Sequence, residues 1–174
     1  MPQLPPSSPY DAELARTREF FATRAADWDA RFPDDGPRYA AAIAELGLRP
    51  GQSVLDAGCG TGRALPLLRA DCARLPLPGA ALDAVFAAGL ISHLPDPART
   101  LRELARVTRP GAALALFHPV GRAALAARHG RALTPDDLRA EPRLRPLLAA
   151  SHWHLDSYTD RDDRYLALAT RVHP

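Results

Sequence analysis

Lysine is absent from the chain and cysteine is scarce. All 22 basic residues of the 174-residue sequence are arginines, and the two cysteines, Cys59 and Cys72, do not form a CxxC pair. The lack of lysine beside abundant alanine and proline indicates a coding bias rather than a function. Two cysteines exclude a disulfide scaffold and favour a reducing, cytoplasmic setting.

Long apolar segments and strong charge are also missing. No run approaches the ~20 residues of a membrane helix, and the proline- and serine-rich start lacks the apolar region of a signal peptide. The net charge is only +2, with 47% hydrophobic and 24% charged residues. This balance is typical of a globular domain and predicts neither a nucleic-acid nor a membrane partner.

The chain divides into three segments by pattern. Residues 1–10 are rich in proline and serine and are predicted to be a flexible tail. Residues 11–50 are predicted to form helices. A first apolar stripe has helical spacing, at Leu14, Thr17, Phe21, Ala25, Trp28 and Phe32. A second stripe follows with Tyr39, Ile43 and Leu46. Residues 51–174 are predicted to be the core.

Within the core, short apolar strands alternate with amphipathic helices. The predicted strands cover residues 53–56, 82–88, 112–118, 154–159 and 165–172. One predicted helix covers residues 96–108, and another begins at Thr134, a capping residue followed by Pro135 and two carboxylates. This alternation predicts an α/β fold around a mostly parallel sheet.

The run from Val54 to Arg63 is the most informative part of the sequence. A strand ending in Asp56 leads directly into glycines at positions 58, 60 and 62 and then into a helix start. Glycine permits a sharp turn and the close approach of a ligand to the backbone, and a helix N-terminus favours a ligand carboxylate. The spacing is GxGxG, whereas the dinucleotide fingerprint requires GxGxxG.

This loop resembles motif I of the class I S-adenosylmethionine-dependent methyltransferases. Later segments resemble further motifs of that family in the same order, at residues 70–78, 82–86, 89–94 and 101–112. The resemblance implies a three-layer Rossmann-like sandwich with the strand order 3-2-1-4-5-7-6 and an antiparallel last strand. It also implies transfer of a methyl group from S-adenosylmethionine to a small-molecule acceptor.

The resemblance assigns cofactor-binding roles residue by residue. The loop around the methionine part of the cofactor would comprise Asp56, Gly58, Cys59, Gly60 and Gly62. The adenine would meet Asp71 and the main chain of Cys72, while Ala87 and Ala88 would close on the cofactor from the end of the fourth strand.

One part of the family pattern is missing. Gly62 and Asp71 are only nine positions apart, whereas the family places there the second strand with its ribose-binding acid, and a βαβ unit alone takes ~30 residues. Three explanations are open: the sequence omits a stretch between Leu68 and Asp71, the protein has been shortened, or it is an interaction module that no longer binds the cofactor. Without this unit the first strand becomes a sheet edge, which a homodimer would cover.

Two histidines are candidates for proton transfer. His93 follows the fourth family strand, and His118 ends the fifth at the carboxyl edge of the sheet, where open α/β sheets bind ligands. The alternative for each is a capping role.

Other polar and aromatic residues are weaker candidates. His152 and His154 lack the further ligands of a metal site, so no metal is predicted. Trp28 and Tyr39 are assigned either to a substrate pocket or to core packing. Arg122, Arg128 and His129 are assigned either to an acidic substrate or to a solvated surface.

Overall fold

The structure is a computed structural model that describes residues 8–27, 35–58 and 73–173. Its helices are α1 (Pro9–Ala22), α2 (Gly36–Glu45), α3 (Pro97–Val107), α4 (Arg122–Arg128) and α5 (Glu141–Ala149). Its strands are β1 (Val54–Ala57), β2 (Leu82–Ala88), β3 (Thr108–His118), β4 (Trp153–Arg161) and β5 (Arg164–Arg171). Short 3-10 turns lie at Ala25–Asp27 and Ile91–His93. No helix that the structure describes combines the length and apolar character needed to span a membrane.

The five strands form one sheet in the order β1-β2-β3-β5-β4. β1, β2 and β3 pair in parallel, and β5 pairs antiparallel with both β3 and β4. The predicted mostly parallel sheet with an antiparallel last strand is therefore confirmed. Within residues 8–27, 35–58 and 73–173, β1 pairs with β2 alone, and no counterpart of the family's second strand is present.

Helices cover both faces of the sheet, which gives three layers. Successive residues of a strand point to opposite faces, so the buried runs of β2 and β3 serve two cores. On one face Phe86 and Phe117 pack with Ala42 of α2 and with Leu46, which directly follows that helix. The core on the other face includes residues of α3 and α5, such as Leu101, Leu104, Leu144 and Leu148. The predicted sandwich is thus confirmed.

Helix α3 shows how local sequence sets the element bounds. Its N-cap Asp96 accepts a hydrogen bond from the backbone N–H of Arg99 at 2.9 Å, and Pro97 occupies the first helical turn. At the other end the Thr108 hydroxyl donates to the carbonyl of Leu104 at 2.7 Å. The helix then passes directly into β3, so the strand begins four residues earlier than predicted.

Two predicted helix starts differ from the structure. The prediction of a helix start at Thr134 is wrong, and the first helix begins earlier than predicted. Residues 134–140 form turns, and the next helix starts at Glu141. The Asp137 carboxylate accepts hydrogen bonds from the backbone and the guanidinium of Arg139 instead of facing a helix N-terminus. Helix α1 begins at Pro9, inside the predicted tail, because Ser8 caps it by accepting from the backbone N–H of Asp11 at 3.2 Å.

Candidate active site

Two glycines turn the chain at the carboxyl ends of β1 and β2. Gly58 has a φ of 86° and Gly89 a φ of 62°, in the left-handed region that favours glycine. A Cβ on Gly58 would lie 3.3 Å from the Cβ of Leu90. Gly89 donates its N–H to the carbonyl of Phe117 at 2.8 Å, which ties the turn after β2 to β3.

Asp56 is a buried carboxylate at this edge. Both of its oxygens are buried and lack a hydrogen-bond partner in the described part of the chain, and burial raises the pKa of the carboxyl. A buried ionised group without a partner is unfavourable, because its lost hydration is not replaced. The position therefore suits a ligand with cationic or N–H donor groups, and the ammonium and sulfonium of S-adenosylmethionine fit that requirement.

The other predicted cofactor residues divide into two groups. Ala87 and Ala88 end β2, where Ala87 pairs in register with Ala57, so both lie at the same edge as Asp56 and Gly58. The remaining five lie outside the described residues, and their roles stay predictions: Cys59, Gly60, Gly62, Asp71 and Cys72.

His118 ends β3 beside this edge. Its Nδ1 lies 2.7 Å from the carbonyl oxygen of Val120 and 3.1 Å from the backbone nitrogen of the same residue. The carbonyl can pair only with a protonated Nδ1 and the N–H only with an unprotonated one, so each tautomer keeps one of the two contacts. Burial is the largest influence on the His118 pKa and lowers it.

His93 lies at the end of the 3-10 turn that follows Gly89. Its ring meets the ring of Phe21 from α1 edge to face, with centroids 5.1 Å apart. Burial, followed by the positive charge of Arg139, lowers the pKa of His93. The charge of Arg139 also lowers the pKa of His118, so one guanidinium lowers the pKa of both candidate bases.

A small cavity opens between the ends of β2 and β3. Its volume is about 10 Å³, room for about one water molecule. Ala87, residues 89–92, residues 116–118, Arg139 and Tyr165 line it. Sequence reasoning did not find Arg139 or Tyr165. The signal for Tyr165 was its strand pairing, since it lies directly opposite His118 across the antiparallel β3–β5 pair.

Arg139 belongs to a set of paired charges beside the cavity. Its guanidinium meets the Asp137 carboxylate at 3.1 and 3.2 Å. Asp137 also lies 3.6 Å from Arg122, which pairs with Asp160 at 2.9 Å. Arg122 is thus bound to carboxylates, while Arg128, the other arginine proposed for an acidic substrate, is exposed on the same helix, as is His129 after it.

The remaining candidates are structural or exposed. Trp153 is buried and donates from Nε1 to the carbonyl of Leu101 at 3.0 Å, whereas His154 is exposed. Among the residues that the structure describes, no group of three or more His, Cys, Asp or Glu side chains could hold a metal. The Tyr39 ring packs 5.0 Å from that of Phe117, which assigns it to the core, and Trp28 lies outside the described residues.

Comparisons with known proteins agree with this geometry. Residues 65–116 match the family model described as a methyltransferase domain. The chain is 27% identical over 110 aligned positions to the cycloartenol-C-24-methyltransferase of Arabidopsis thaliana, an alignment that covers 42% of this chain and 33% of the plant enzyme. It is 35% identical over 92 positions to the malonyl-[acyl-carrier protein] O-methyltransferase of Serratia marcescens, with 36% of each chain covered.

The fold matches solved methyltransferases over almost its whole length. The 1,6-didemethyltoxoflavin-N1-methyltransferase of Burkholderia thailandensis, solved with S-adenosylhomocysteine, superposes with a TM-score of 0.67. That match covers 99% of this chain and 94% of the other at 17% identity. The chain therefore has the fold of S-adenosylmethionine-dependent methyltransferases and contains a segment that matches a methyltransferase domain. It spans about a third of the length of the plant relative.

The alignment to the plant methyltransferase also contains an internal gap. Its 110 positions include only 42% of the 174-residue chain, about 73 residues, so about 37 positions of the plant enzyme have no counterpart here. A gap of this size fits a missing βαβ unit of ~30 residues. The absence of the segment around the second family strand, between Leu68 and Asp71, stays a prediction.

Proposed function

We propose that this chain transfers a methyl group from S-adenosylmethionine to a small-molecule acceptor. The observation that carries the proposal is the unpartnered, buried carboxylate of Asp56, placed directly before the Gly58 turn at the carboxyl edge of a class I methyltransferase sheet. Ligands of open α/β sheets bind at this edge. A cationic cofactor would supply the partner that Asp56 lacks.

Some residues of the chain would bind the cofactor, and others would accept a proton from the acceptor. When bound, S-adenosylmethionine supplies an activated methyl group, so alignment of the acceptor provides much of the rate. Asp56 and the Gly58 turn would hold the methionine part, and Ala87 and Ala88 would contact the cofactor from β2. His118 and His93 are the proposed bases for an acceptor that must lose a proton.

Calorimetry with S-adenosylmethionine, on protein whose full length has been verified by intact mass, tests the proposal. We expect saturable binding at one site per chain and formation of S-adenosylhomocysteine once an acceptor is supplied. Absence of binding by the verified chain would overturn the proposal. The relatives do not give the acceptor atom, since the names of the three compared methyltransferases refer to carbon C-24, an oxygen and nitrogen N1.

A non-catalytic interaction module is the second candidate. The interval of only nine positions between Gly62 and Asp71 supports it, because the segment that the family places there carries the acid that binds the ribose. Thermal unfolding with and without the ligand distinguishes the enzyme from the interaction module. A ligand at 100 times its dissociation constant stabilises a folded protein by about 2.7 kcal/mol, so S-adenosylhomocysteine should raise the melting temperature of an enzyme and leave that of a module unchanged.

The proposal extends to the protein's setting and organisation. We propose a cytoplasmic enzyme without nucleic-acid or membrane partners, in which residues 11–50 cap the cofactor edge and residues 51–174 form the catalytic core. A homodimer that covers the edge of β1 remains a prediction. Light scattering at two protein concentrations checks it, with a monomer at both as the contrary result.

A further inference from the structure

Two side chains of α3 hold the backbone of the segment that leads into β2. Residues 75–81 form turns and bends, so their N–H and C=O groups need partners outside a sheet or helix. The backbone N–H of Leu75 donates to the Glu103 carboxylate at 2.8 Å. The Arg106 guanidinium donates to the carbonyls of Leu75 and Leu77 at 3.3 and 3.0 Å. One helix therefore fixes three backbone groups of this segment.

The same two side chains also fix each other. Arg106 donates from Nε to one oxygen of Glu103 at 2.7 Å and from Nη2 to the other oxygen at 2.8 Å. Such a two-point contact sets the orientation of both groups. The hydrogen bond from Arg106 is the largest influence on the pKa of Glu103, which is lowered. The pair thus presents an ionised acceptor and a donor in one arrangement.

The Glu103–Arg106 pair is poorly placed to stabilise the fold. The Arg106 side chain is 44% exposed, and ion pairs that water reaches contribute little to folding. Burial of Ala73 and Leu75 already keeps the segment against the core. What the pair adds is a defined position of the backbone, which matters most where that backbone leads to a binding site.

The segment runs along α3 toward the carboxyl edge of the sheet. α3 begins after the carboxyl end of β2 and passes into the amino end of β3, so it runs opposite to both strands. Ala80 donates its N–H to the backbone carbonyl of Arg106 at 3.0 Å. Leu75 is bound to Glu103, one helical turn nearer the carboxyl edge. Followed from residue 80 to residue 73, the chain therefore approaches the edge that carries Asp56.

We propose that Glu103 and Arg106 are positioning residues for recognition of the adenine of S-adenosylmethionine, an inference that rests on the proposed function. They act through residues 73–77, which directly follow the predicted adenine contacts Asp71 and Cys72. Those two residues lie outside the described residues, and their contacts stay predictions. A carboxylate and a backbone N–H distinguish one base from another only when the chain that carries them is held within about 0.5 Å.

Two ligands that differ only in the base test this role without turnover. S-inosylhomocysteine has a carbonyl where S-adenosylhomocysteine has an amine, and its ring N1 carries a proton, so both hydrogen-bonding groups are reversed. Calorimetry measures the two dissociation constants. The wild type should prefer the adenosyl ligand about tenfold or more, the effect of two neutral hydrogen bonds.

Two alanine variants should lose this preference. Glu103→Ala and Arg106→Ala should each reduce it about threefold or more, because they weaken binding of the adenosyl ligand and leave that of the inosyl ligand unchanged. A merely structural role would not move the ratio, since a loss of folded protein lowers the apparent affinity for both ligands equally. Melting temperatures of the ligand-free variants check that they fold.

A conservative variant and a matched control sharpen the comparison. Glu103→Gln keeps an oxygen that accepts from the Leu75 N–H and should retain more of the preference than Glu103→Ala. Glu141→Gln breaks an ion pair on α5, where Glu141 meets Arg145 at 2.6 Å, and should retain all of it.

The outcomes separate this inference from the proposed function. An unchanged preference in both alanine variants, or an equal loss in Glu141→Gln, would overturn the positioning role alone. Binding of both ligands by the wild type without a preference would do the same. Failure of the wild type to bind S-adenosylhomocysteine would remove the proposed function and this inference with it.

Discussion

The two edges of the sheet satisfy their polar groups differently. At the amino edge the Asp83 carboxylate accepts from the backbone N–H of Ser53 and pairs with Arg109. At the carboxyl edge Asp56 and Tyr165 hold buried oxygens without partners. Ser151, before β4, is the exception at the amino edge.

This contrast separates structural groups from groups kept for a ligand. A matched polar group at the amino edge stabilises the fold by about 0.5–1.5 kcal/mol, while an orphaned one costs about 1–3 kcal/mol. A buried polar group without a partner is expected where a bound ligand supplies the missing hydrogen bond. At the carboxyl edge, substitutions that remove an unpaired polar group should therefore weaken ligand binding without lowering the free energy of unfolding. Matched substitutions at the two edges test this.

Two left-handed glycines give the largest expected difference. Gly58→Ala and Gly111→Ala both place a side chain at positive φ, which costs about 1–2 kcal/mol of stability. Only at Gly58 does the new Cβ meet a neighbour, Leu90, whereas nothing lies within 4 Å at Gly111. We expect Gly58→Ala to weaken S-adenosylmethionine binding by about tenfold or more, ~1.4 kcal/mol, and Gly111→Ala to leave it intact. Calorimetry and thermal unfolding of both variants measure this, and equal losses of affinity would erase the contrast.

Two aspartates give the second difference. Asp83→Asn removes a charge that pairs with the largely exposed Arg109, and should destabilise the fold by about 0.2–1 kcal/mol. Asp56→Asn should leave stability equal or higher while weakening cofactor binding. Because burial raises the pKa of Asp56, its contribution to stability is full below the ordinary pKa of an aspartate and is lost as pH rises through the raised value.

Denaturant unfolding between pH 3 and 7 checks the sign. The stability of the wild type should fall relative to that of Asp56→Asn as pH rises through this window. If the free energy of unfolding changes with pH in the same way for both proteins, burial does not raise the pKa of Asp56.

The two neighbouring tyrosines give a third, smaller difference. Tyr165→Phe removes an orphaned hydroxyl, so the free energy of unfolding should stay equal or rise by about 1 kcal/mol. Tyr158→Phe removes a hydroxyl that donates to Arg139 and should destabilise by about 0.5–1.5 kcal/mol. Urea unfolding measures both, and a larger loss in Tyr165→Phe would mean that its hydroxyl is satisfied in the folded protein.

His118 gives the smallest effect. Since burial lowers its pKa, the neutral form stabilises the fold above the ordinary histidine pKa, and that contribution is lost as pH falls toward the lowered value. His118→Gln should reduce this acid-side loss, by at most ~1.4 kcal/mol per pH unit. His154→Gln, at an exposed position on β4, is the control and should follow the wild type.

The sequence predicted the sheet well because its signals are local. Buried strands, alternating faces and the Asp96-Pro97 helix start are all encoded in neighbouring residues. The prediction of a helix at Thr134 failed in part for a reason that is not local, since Asp137 also lies 3.6 Å from Arg122, 15 positions earlier in the chain. Likewise Tyr165 joins the site only through its register with His118, 47 positions earlier in the chain.

Amide hydrogen exchange with and without S-adenosylhomocysteine tests the central claim most directly, because it maps the ligand onto the two edges in one measurement. We predict added protection in residues 54–58 and 87–93 at the carboxyl edge, and none in residues 79–83 and 108–111 at the amino edge. Protection confined to the amino edge, or unchanged exchange throughout at saturating ligand, would contradict the assignment of the carboxyl edge as the binding site.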